Sequence, residues 1–140
     1  MNATQTLVKA YRIENAGGVG QYVAVVQGSN ADGNCQIPAA ANAPRFLGIT
    51  LEAQPNQLKG VAVQKEGIAR ATAHGAIARG DRLSIGSNAG DLASYETLIA
   101  AGLESPATEY NVVGYAEEGA VAGQIFAVWL HPHTVALAAS

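Results

Sequence analysis

Apolar residues along this chain recur with a period of two, and the alternation is broken about every eight to twelve residues by Gly, Asn, Asp or Pro. Successive side chains of an extended strand point to opposite faces, so the pattern predicts short strands joined by turns. The fold class it implies is mainly β, a small β-sandwich or barrel-like domain. Strands are predicted at Leu7 to Glu14, Gln21 to Gln27, Arg45 to Glu52, Gly60 to Lys65, Gly67 to Ala73, Arg82 to Ile85, Glu109 to Ala116 and Gln124 to Leu130. Gly17-Gly18-Val19-Gly20 reads as a turn, and Asn30-Ala31-Asp32-Gly33-Asn34 makes 28–44 an expected exposed loop. One short helix of about two turns completes the picture, with Ser94 as N-cap, Tyr95, Leu98 and Ile99 on one face and Gly102 as its stop. The organisation follows: 1–20 as an amino-terminal arm and first strand, 21–130 as the β-rich domain, and 131–140 as a carboxy-terminal tail.

The 140 residues suffice for one domain with a substantial core. That core must be thin, because the chain is 49% hydrophobic but only 6% aromatic, its apolar content being carried by Ala, Val, Leu and Ile. Charged residues make up 14%, against roughly 25% in an ordinary soluble domain. A surface so poor in charge points to association with other protein surfaces. The eight Lys and Arg residues form no run or stripe, which argues against nucleic acid as a partner. The single cysteine, Cys35, has no mate for an internal disulfide, so a reducing cytoplasm is the simpler place of synthesis. The opening Met1 to Leu7 does not read as a signal peptide, and no apolar run approaches the ~18 residues of a membrane helix.

Nothing in the sequence amounts to an active site: no catalytic, cofactor-binding or metal residues are assigned, no cofactor is expected and the chain is read as non-enzymatic. His131-Pro132-His133 has no further ligands nearby for zinc, and reads as a strand end followed by a proline stop. Cys35 sits in a polar loop with no cation to activate it, and His74 before Gly75 reads as a solvated turn residue. Gly86-Ser87-Asn88-Ala89-Gly90-Asp91 lacks the Lys-Ser or Lys-Thr of a phosphate loop. Asp81, Asp91, Glu117 and Glu118 all fall at expected turns. Trp129, the only tryptophan, lies in the alternating Ile125 to Leu130 segment, where the prevailing role is a core anchor and the minority role an interface hot spot. The segment Asn2 to Lys9 is either a frayed terminus or a docking arm, which makes Thr4, Gln5, Thr6, Leu7, Val8 and Lys9 the candidate partner-contact residues.

An internal echo joins Leu47-Gly48-Ile49 with Gly60-Val61-Ala62-Val63 to Val113-Gly114-Tyr115 with Gly123 to Val128, each an apolar-Gly strand, a polar turn and a second strand opened by Gly. From Phe46 onward the order of motifs resembles the capsid decoration, or cement, proteins of tailed bacteriophages. The resemblance rests on Leu47-Gly48-Ile49, then Val61-Ala62-Val63 leading to Glu66-Gly67-Ile68-Ala69, then Ile77-Ala78-Arg79-Gly80-Asp81-Arg82-Leu83, then Val113-Gly114-Tyr115-Ala116 and Gly123 to Leu130, about residues 45–130. It departs from the shorter family members at 28–44, at Tyr95 to Pro106 and at 131–140. The resemblance implies a β-rich protein on the outer capsid surface of the virion, commonly a homotrimer. Its partner would be the major capsid protein of the phage head, and it would stabilise the assembled shell. Another virion component, a head-fibre base or a tail-associated β-domain, is the first alternative, and a small-molecule-binding β-domain the second.

Overall fold

The computed structural model describes residues 7–100 and 109–136. Among these described residues ten strands and one helix follow in the order β1 (Val8–Ile13), β2 (Ala24–Gln27), β3 (Asn34–Gln36), β4 (Phe46–Thr50), β5 (Gly60–Gln64), β6 (Ile68–Thr72), β7 (Arg82–Ile85), β8 (Leu92–Ser94), α1 (Tyr95–Ala100), β9 (Glu109–Ala116) and β10 (Ile125–Ala136). The first five close into a barrel of order β1-β3-β2-β4-β5, and the rest form a sheet of order β6-β10-β9-β7-β8. Pairing is antiparallel throughout except between β1 and β3, and β1 shuts the barrel against β5. An isolated parallel bridge from Ala73 to Leu92 ties the end of β6 to β8, so the second sheet also curls toward closure. The mainly β prediction is therefore met, with a barrel and a curled sheet side by side.

One core spans both units. Val25, Ile13, Cys35, Val61 and Val63 fill the barrel together with Tyr11. Their strand neighbours Ala24, Val26 and Ile49 face the other way and join Ala69, Ala71, Leu83, Ile85, Phe126, Val128 and Leu130 of the sheet. Burial on both faces explains the unbroken apolar run at residues 23–26, where alternation disappears. Alanine at 69, 71, 73 and 116 lets backbones approach closely, which is how a chain with few aromatics fills its interior.

The helix begins at Tyr95, as its pattern predicts, and buries Tyr95 and Leu98 against Tyr110, Val112 and Ala93 on the outer face of the sheet. The Tyr95 and Tyr110 rings meet edge to face at 4.8 Å, and the Ser94 hydroxyl reaches the Glu96 carboxylate at 3.5 Å. The side chain of Ile99 and the proposed stop at Gly102 lie outside the described residues. The turn before β7 is built as its sequence indicates: Gly80 takes φ +89°, donates to the Ala116 carbonyl, and Asp81 accepts from the Ala78 amide at 2.9 Å.

Three expectations need correction. The 28–44 segment is no free loop, because β3 runs through it and buries Asn34 and Cys35 completely or nearly so. Its anchor is Glu14, whose carboxylate accepts from the amides of Ser29 at 3.0 Å and Asn30 at 2.8 Å and from the Asn34 side chain at 3.0 Å. Nor is there a proline stop at 131, since β10 runs on to Ala136 and Pro132 falls in a register shift between Leu130 and His133. A bulge is where a strand tolerates a residue without an N–H. The third correction is Trp129, which is 46% exposed and anchors no core.

Partial burial of Glu14 raises its pKa, yet the donors from Asn30, Asn34 and Ser29 outweigh it and hold the group below the usual glutamate value. A lowered folded pKa stabilises above the ordinary value and is lost as pH falls through the lowered one. Amide protection at Ser29 and Asn30 is thus expected to vanish in that acidic window, and Glu14→Gln to remove the pH dependence; hydrogen exchange followed by NMR reads both. Unchanged protection through the window would refute the clamp.

Candidate docking surface

The register of β6, β9 and β10 decides which side chains share the outer face of the sheet. Trp129 pairs with Tyr115 on one side and Ile68 on the other, while Ala127 opposes Arg70 and Ile125 opposes Thr72. Helix α1 covers the part of this face that holds Tyr110 and Val112. The rest is bare: Ile68 is 47%, Ile125 42% and Trp129 46% exposed. Three of the large exposed hydrophobics of the chain thus meet on one surface.

Rings extend the surface along β10. Trp129 stacks on His131 at 5.4 Å, Tyr115 lies 5.7 Å from Trp129, and Tyr115 stacks on His133 at 6.0 Å. His131 and His133 are 5.2 Å apart between ring centres, and the His133 Nδ1 sits 2.7 Å from the His131 carbonyl. Facing rings hold one another in place, so a partner would meet a preorganised aromatic surface at little cost in side-chain entropy. A cleft of about 230 Å³ lined by Arg45, Phe46, Asn111, Pro132, His133 and Thr134 adjoins its end. The expectation of a core Trp129 rested on the general burial of tryptophan in apolar strands, whereas the opposite phase, Phe126, Val128 and Leu130, is the one that faces inward. The usable signal was His131 and His133, which continue the phase of Trp129 and mark it as the wet one.

Among the predicted contact residues, Thr4, Gln5 and Thr6 lie outside the described residues. Leu7 is 47% and Val8 45% exposed, and Val8 and Lys9 are paired with Gln64 and Val63 as part of the barrel wall. At the barrel mouth the Lys65 ammonium donates to the Tyr11 hydroxyl at 2.7 Å, and both Lys9 and Lys65 stand 5.3 Å from the centre of the Tyr11 ring.

The residues weighed for chemistry do not converge. His74 Nδ1 lies 3.1 Å from Asp91, whose other oxygen accepts from Ser87 at 2.8 Å. A hydroxyl bonded to the carboxylate and not to the imidazole is not aligned as a nucleophile with its base. Cys35 is fully buried, and burial, reinforced by the charge of Glu14, pushes its thiol up to about 11, the opposite of activation. Among the described residues no three His, Cys, Asp or Glu side chains are grouped to hold a metal ion, and no helix is long and apolar enough to cross a membrane. An open cleft of about 260 Å³ lies between Val26, Gln27, Gly28, Gln36, Ala43 and Arg45. Typical small-molecule sites run from roughly 300 to 1,000 Å³.

With this geometry in view, the comparison with solved structures carries the most information. The chain is similar to the head fiber gp8.5 N base of bacteriophage phi29, with a TM-score of 0.59 at 20% identity over 91% of this chain and 95% of that one. The likeness covers the whole architecture and establishes a shared fold. No family model matches the chain, and no curated protein matches it by sequence.

Proposed function

We propose that this chain is a structural component of a phage virion, carried on the outside of the head, and that it acts by binding protein surfaces without catalysis. The single observation that carries the reading is the end-to-end similarity in fold to the phi29 head fiber base. The bare aromatic face supports it, since an exposed Trp flanked by Tyr and His is the composition of an interface hot spot. Within this reading the base of a head fibre and a capsid decoration protein are the two finer roles. The fold neighbour favours the base, whereas the order of motifs from Leu47 to Leu130 favours decoration. Either role has the same partner, the major capsid protein, and a homotrimer suits both.

Mechanistically, a protein that binds the assembled lattice and not its free subunits lowers the free energy of the assembled state. Several weak contacts per particle suffice, because the second forms at high effective concentration once the first has been made. Adding the purified protein to heads that lack it should raise their thermal disruption temperature and leave it bound after sedimentation. Heads that bind none at saturating protein would rule the proposal out. Copy number separates the finer roles: hundreds per particle for decoration, tens for a fibre base, read from gel densitometry of virions.

A further inference from the structure

We propose that the mouth of the barrel is an anion-accepting site for a carboxylate side chain of the protein to which this chain docks. Tyr11, Lys9 and Lys65 share a strand parity that points into the barrel, since Lys9 pairs with Val63 and Tyr11 with Val61. Val61 and Val63, the cross-strand partners of Tyr11 and Lys9, fill the interior on that parity, while Lys9 is exposed and Lys65 half-buried at the end of the strand pair. Tyr11 is only 6% exposed, which fixes its hydroxyl in one place. That oxygen already accepts from Lys65, leaving its proton to be donated. Among the described residues no carboxylate pairs with Lys9 or Lys65; the ion pairs are His74 with Asp91 and Arg82 with Glu96. Two ammonium groups therefore stand beside one buried phenol, with donors to spare and no carboxylate partner among the described residues, a surplus an anion removes.

The occupant follows from the charge balance and from the setting. Two lysines are too few to track a polyanion, which needs a row of cations along its backbone. Leu7, 47% exposed, shares that parity and borders the spot, so the anion arrives on a surface that also offers apolar contact. An Asp or Glu of a neighbouring subunit fits both demands. This assignment of the partner rests on the docking role proposed above, although the anion site itself does not.

Two experiments test it together. In the first, amide NMR of the full chain is followed while acetate replaces chloride at constant ionic strength. Saturable shifts at Lys9, Tyr11 and Lys65 are expected, lost in Lys9→Met with Lys65→Met and retained in Lys9→Arg with Lys65→Arg. In the second, the same double Met variant should sediment with heads at least tenfold more weakly than the parent, with a flatter salt dependence and an unchanged melting temperature. Shifts no larger with acetate than with chloride, or a Met variant that binds heads like the parent, would overturn the inference. A parent protein that shows the acetate shifts but never binds heads would sustain the anion site and sink the head-docking reading alone.

Discussion

Gly114→Ala and Gly48→Ala are each expected to destabilise the chain by about 3 kcal/mol, a loss large enough to threaten folding at 37 °C. A Cβ at position 114 would stand 2.1 Å from the Trp129 carbonyl oxygen, and one at position 48 would stand 2.2 Å from the Gln64 carbonyl oxygen. Both obstacles are backbone, held by neighbouring ladder bonds, so neither can swing aside as a flexible side chain would. Each glycine also adjoins a break in register: Val25 and Val26 beside Gly48, Leu83 and Ser84 beside Gly114. A strand that coils sharply over its neighbour needs a residue without a side chain at the crossing. The internal echo in the sequence is therefore a repeated solution to one steric problem, used once in the barrel and once in the sheet. Gly75→Ala is the control, because nothing lies within 4 Å of a Cβ there, and its effect should stay within roughly 1 kcal/mol. Urea unfolding measures all three, and Gly114→Ala as stable as Gly75→Ala would refute the account.

Trp129→Ala should separate binding from folding. Truncating a fully buried large aromatic typically removes about 3–5 kcal/mol of stability. Here nearly half of the side chain is already wet, and what is lost inside the protein is the contact with Tyr115, His131 and Ile68, about 1 kcal/mol. The larger effect is expected on attachment to heads: a central Trp in an interface contributes about 2 kcal/mol or more, roughly a thirtyfold loss of affinity. Trp129→Phe should fall between the two. Co-sedimentation with heads and thermal melting of the free protein report the two quantities independently. A variant that melts far lower, or one that binds heads undiminished, would show that this face has another purpose.

What the alternation and its punctuation determined is local. Strands of period two, the Gly80-Asp81 turn, the helix starting at Tyr95 and the rarity of large rings in the core all follow from residue geometry within a few positions. β7 and β9 run between the very residues the pattern marks, Arg82 to Ile85 and Glu109 to Ala116. The short strands β3 and β8 escaped because three residues carry too little pattern to stand out. Each is extended mainly because a neighbour is there to pair with it.

Tertiary structure alone decided which strands share a barrel and which a sheet, and which neighbours each phase of β10 meets. Alternation assigns residues to two faces of a strand but gives neither face a neighbour. Those neighbours depend on contacts between residues distant in the chain, Trp129 with Ile68 and Tyr115, and Lys65 with Tyr11. The aromatic face and the cationic barrel mouth both arise from such distant pairings, so the surfaces through which this protein is proposed to act exist only once the chain has folded.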